Sequence, residues 1–120
     1  MDIARLALVA SFFLGMGLFG LAAPTRLVAP FRIALEGADA RTEVRAVYGG
    51  FGMAIGALLF FTLVKPDLRR GAVVAVAVAL LGMAFGRLVA RAFERPSAFY
   101  PTWFYFWVEL AGAGLLLASA

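Results

Sequence analysis

Three long stretches of this sequence carry no charged side chain: Leu6 to Ala23, Ala46 to Val64 and Gly71 to Gly86. A fourth follows Glu109 and runs through LAGAGLLLASA. An α-helix rises 1.5 Å per residue, so crossing the hydrocarbon core of a bilayer takes ~20 mostly apolar residues. The apolar runs are therefore read as membrane helices over about 6–23, 43–64, 69–92 and 100–119. Composition points the same way: of 120 residues 64% are hydrophobic and 15% are charged, where a soluble domain is about a quarter charged.

The boundaries are marked by residues that suit them. Arg5 and Arg26 flank the first run and Pro24 stops it. Its basic residue and apolar stretch resemble a signal peptide, but a proline directly after a cut is unfavourable, so the run is read as a retained helix. Lys65 and Pro66 end the second run, and the short link PDLRR folds the second and third into an antiparallel hairpin. Pro101 suits a first helical turn and Pro96 lies just before it. Residues 24 to 41 mix apolar side chains with Arg26 and Arg32, which fits a short interfacial helix or a plain loop. The expected fold is a single all-α transmembrane domain. It is an integral membrane four-helix bundle with both termini on the same side. Basic residues crowded around the PDLRR link place the termini at the cytoplasmic face, in a bacterial inner membrane.

Absent residue types exclude several chemistries. The chain has no Cys, His, Asn or Gln, which removes disulfides, imidazole ligation of metal or haem and the usual general base. No metal site and no cofactor are implied. The net charge of +4 arises from basic residues at the ends of apolar runs, where they anchor at lipid headgroups; nucleic-acid binding is rejected. GMGLFG at residues 15–20 matches the spacing GxGxxG, but those glycines lie inside an apolar helix, with no strand before them to make a dinucleotide site.

Small residues recur at helical spacing. Gly49, Gly52 and Gly56 share a face of the second span with Arg45, and Gly82 and Gly86 share a face of the third with Ala75, Ala79 and Ala90. Such stripes let helix backbones approach closely in lipid.

Glu109 is the one charge in the last span. At the centre of a bilayer it costs ~2.5–3.5 kcal/mol on insertion scales, so it must face the bundle and meet a partner or take a proton. Alternating helix directions put Glu43, Arg45, Arg87, Arg91, Glu94 and Glu109 in one half of the bundle. Arg87 is the deepest of the third-span charges and the first-choice partner, with Arg45 second. Tyr105, one turn before Glu109, and Tyr48, near Arg45, are further donors. A set with both signs and two phenols reads either as a helix-pairing device or as a polar pocket.

TEVRAVYGG at 42–50, GMAFGRLVAR at 82–91 and a glutamate in a final apolar helix together resemble a family of small bacterial four-helix membrane proteins. That family is catalogued as a domain of unknown function. The resemblance runs over most of the chain and rests on Glu43, Arg45, Tyr48, Gly49, Gly50, Gly86, Arg87 and Glu109. It implies the fold and the polar set, and no activity. The general shape also resembles the DoxX-like four-helix proteins. The leading functional reading is a membrane protein that binds a lipid, a small amphipathic molecule or a partner chain, as an accessory subunit of a larger complex or a homo-oligomer. The alternatives are a proton-coupled carrier or channel acting as an oligomer, and a membrane enzyme acting on a lipid or quinone.

Overall fold

The computed structural model describes residues 3–95 and 98–120; Met1, Asp2, Pro96 and Ser97 lie outside the described residues. The described chain is helical almost throughout: α1 (Ile3–Ala22), α2 (Pro24–Val28), α3 (Ala38–Phe61), α4 (Arg69–Phe93) and α5 (Phe104–Leu117). Helices α1, α3 and α4 are each long and apolar enough to cross a membrane. At 14 residues, α5 is shorter than the expected last span. Its start is set by Tyr100, which is extended at φ −93°, ψ 132°, as a residue before proline prefers. The segment Phe99–Trp103 forms a kinked turn that leads into α5.

Of the two readings open for residues 24–41, a short helix forms, and one of its faces packs onto the bundle. Pro24, Leu27 and Val28 of α2 are buried, and Leu27 and Val28 pack with Val44, Met16 and Leu35. The chain then passes through a tight turn at Ala29–Phe31 and returns to start α3. Helix α3 carries one π-helical turn, Arg45–Gly50, near its start. It ends at Phe61 rather than Val64, and just past that end the buried Thr62 turns its hydroxyl back onto the Leu59 carbonyl at 2.6 Å.

The bundle is built from two pairs, α1 with α3 and α4 with α5, joined mainly through α1 and α5. Glycines close the first pair. A Cβ on Gly56 would lie 2.8 Å from the Ala10 carbonyl oxygen, and one on Gly20 would lie 2.9 Å from the Gly49 nitrogen. One on Gly17 would lie 2.8 Å from the Gly49 carbonyl oxygen. Gly17 and Gly20 of GMGLFG are thus the counter-surface to Gly49 and Gly52, and Gly56 packs against Ala10 and Leu14. The stripe on α4 is placed differently. A Cβ on Gly82 or Gly86 would meet nothing within 4 Å among the described residues, so these two glycines pack against no helix of this chain. Although PDLRR joins them, α3 and α4 splay apart. They leave an apolar cleft of about 220 Å3 lined by Phe51, Ile55, Leu58, Ala75 and Ala79.

The apolar core occupies the half of the bundle where α1 begins and α5 ends. Leu6, Ala10, Leu59, Val73, Ala77 and Leu116 are almost wholly buried there. Arginines from other elements cap helix C-termini, where unpaired carbonyls carry the negative end of the dipole. Arg45 donates to Leu21 at the end of α1 (3.0 Å). Arg69 donates to Thr62 after α3 (2.8 Å) and Arg5 to Ala118 after α5 (3.3 Å). Arg45→Met should therefore lower stability by about 1 kcal/mol, read as an earlier midpoint in denaturant unfolding followed by circular dichroism. No change would mean that water caps α1 equally well.

Candidate functional site

The half of the bundle opposite the core holds the polar pair. Arg87 lies about 9 Å, six residues, inside the end of α4, and Glu109 is near the middle of α5. The two helices run side by side, so their side chains meet. Arg87 Nε donates to both carboxylate oxygens of Glu109, at 2.9 and 3.1 Å, and Nη2 donates to Oε2 at 2.9 Å. This forked geometry suits the planar guanidinium. Glu109 is 4% exposed, while the Arg87 side chain keeps 22% of its surface.

Two rings flank the guanidinium. Its Cζ is 5.9 Å from the centroid of Phe31 and 5.9 Å from that of Tyr105. The rings themselves lie 5.6 Å apart at 30°. Attraction between a cation and ring faces adds about 0.5–2 kcal/mol, towards the upper end where water is excluded. Tyr105 reaches the site because it precedes Glu109 by one helical turn. Phe31 reaches it because α2 and the turn after it fold back over the bundle.

Around the pair opens a cavity of about 500 Å3. Every long element contributes to it: Phe12 and Met16 from α1, Tyr48 and Phe51 from α3, Met83 and Arg87 from α4, Tyr105 and Glu109 from α5. Its roof is Leu27, Val28, Phe31 and Ile33. Among its described lining residues only Arg87 and Glu109 are charged. The volume falls within the range of small-molecule sites, and so does the mix of apolar wall with a few convergent polar groups.

Of the residues singled out in the sequence, Arg87, Glu109, Tyr105 and Tyr48 come together on this cavity. Arg45 does not; it lies beside the end of α1. Glu43 and Arg91 are exposed and do not line the cavity. Gly52 lines it, and Gly49 is buried against α1. In the aromatic run, Phe106 is buried and Trp107 is exposed, so Tyr105 alone of the five lines the cavity. Phe31 and Ile33 were not anticipated; the trace they leave in the sequence is apolar side chains alternating with Arg32 in a segment too short to span.

A family model described as a domain of unknown function (DUF4345) matches residues 4–119. The chain belongs to this family. No curated protein and no solved structure matches it, and the likeness to the DoxX-like proteins gains no support.

Proposed function

We propose that this protein is an integral membrane protein that holds a small amphipathic molecule in the cavity around Arg87 and Glu109. The observation that carries the reading is the combination in one space. An apolar, aromatic-rich chamber of about 500 Å3 contains a largely buried ion pair, whose arginine side chain still has exposed surface. Helix pairing alone requires the pair and not the chamber. In this reading the bilayer is crossed four times, with α5 and the turn before it as the last crossing. The start of α1 and the end of α5 share a face, supported by the contact of Arg5 with Ala118. Both ends carry basic residues, and the crowding of Lys65, Arg69 and Arg70 into one short link favours that end as the cytoplasmic face of a bacterial inner membrane. A second reading, an accessory subunit packed against another chain, is favoured by the unpartnered small-residue face of α4.

Native mass spectrometry of protein released gently from its own membrane tests both. An added mass of a few hundred daltons is expected, and it should be lost in Met83→Trp, which fills the cavity from a residue that is half exposed. Helicity should be retained in that variant. Added mass of a protein chain would favour the subunit reading. Bare protein would count against both.

A further inference from the structure

Arg87 has five N–H donors, and the bonds it makes use only Nε and Nη2, both directed at Glu109. Nη1 donates to nothing among the described residues, although Arg87 lines the cavity. Glu109 is the more deeply buried partner, and both of its oxygens are engaged. Both residues line the cavity, but the unused N–H groups are on the more exposed Arg87, while Glu109 is nearly buried and already bonded through both oxygens. The pair therefore favours an acceptor at the polar end of a molecule that enters.

The charge on that acceptor is set by the pair as a whole. Glu109 already neutralises Arg87, so an anion brought to Nη1 gains attraction to one group and repulsion from the other. It also gives up its hydration to a chamber whose other walls carry no charge. A cation is worse placed, because the guanidinium repels it and the carboxylate is nearly buried and already shared with Arg87. An uncharged carbonyl has little hydration to lose and gains a charge-assisted hydrogen bond. The phenols of Tyr48 and Tyr105 line the same space and offer further donors to a second oxygen.

We infer that the cavity selects an uncharged amphiphile with a carbonyl-type oxygen at its polar end and an apolar body, bound through Arg87 Nη1. This rests on the binding reading above and specifies its ligand class. Two sources share that chemistry, a ring-headed quinone and an ester-headed glyceride.

The test uses the full chain in nanodiscs, with titration calorimetry corrected by empty nanodiscs. The probes share one dodecyl-length tail: a dodecyl benzoquinone, 1-lauroylglycerol, laurate and dodecylamine. Wild type should bind one or both neutral probes at least tenfold more tightly than laurate or dodecylamine. Which neutral probe binds identifies the source. Glu109→Gln leaves Arg87 uncompensated, and the preference should turn toward laurate. If that variant does not fold, the wild-type series decides alone. Laurate or dodecylamine binding as tightly as the neutral probes in wild type would overturn the assignment and leave the cavity reading standing. Saturable binding of none of the four would overturn the cavity reading itself.

Discussion

Glu109→Leu is expected to destabilise the bundle by about 3–5 kcal/mol, because removing one member of a buried pair strands the other. The stranded group here is a guanidinium, which stays protonated at any accessible pH. Arg87→Leu should likewise destabilise, since it strands the carboxylate in an apolar chamber. The double variant Arg87→Leu/Glu109→Leu should recover to within about 1 kcal/mol of wild type or exceed it, since well-packed apolar residues often replace a buried pair without loss. Unfolding midpoints across a denaturing-detergent series measure all four proteins. A loss in the double equal to the sum of the losses in the two singles would mean the pair is not coupled. If the double variant is stable yet carries no ligand, the pair is kept for recognition and not for folding. This outcome separates the two roles that a buried ion pair can have.

The Arg87–Glu109 contact was legible from the sequence for a specific reason. An isolated charge in an apolar span must be answered, and alternating helix directions bring only one half of each span within reach. The same argument offered Arg45 as second choice, and there it had less purchase. Arg45 belongs to the π-helical turn Arg45–Gly50, and such a turn leaves no mark in hydropathy. The carbonyl it caps, Leu21, sits at a helix end that the pattern located only approximately. Phe31 was out of reach because its position depends on tertiary packing. Nothing within APFRI says that the phenylalanine turns onto Tyr105 and Arg87.

The last helix shows how a local rule can point to the right place with the wrong boundary. Pro101 does stand near the start of a helix, but the constraint that matters falls on Tyr100, which proline holds extended. The regular helix begins three residues after Pro101, at Phe104. Glu109 consequently sits about 7.5 Å from the start of the regular helix, where a start at Tyr100 gives ~14 Å. The cavity around the pair lies in that same half of the bundle, under the roof of α2 and Phe31.

The glycine stripes of α3 and α4 look alike in sequence and are expected to respond in opposite ways to alanine. Small residues give a helix the capacity for close approach, but a partner must use it. For α3 the partner is α1. A methyl group on Gly56 would come within 2.8 Å of the Ala10 carbonyl oxygen, and one on Gly52 within 3.1 Å of the Gly17 Cα. Backbone on both sides cannot yield without separating the helices, so Gly56→Ala and Gly17→Ala should each cost about 1–3 kcal/mol, as overpacking does. For α4 the face is open within the chain. Gly82→Ala and Gly86→Ala should be neutral or stabilise the isolated bundle by up to about 1 kcal/mol through helix propensity alone. Detergent unfolding of the four variants measures the contrast. If the open stripe has a partner in the native membrane, Gly82→Ala and Gly86→Ala will be stable when purified but will release that chain on extraction. Destabilisation of the purified bundle by these two changes would instead mean that α4 closes on a neighbouring helix of its own chain in solution.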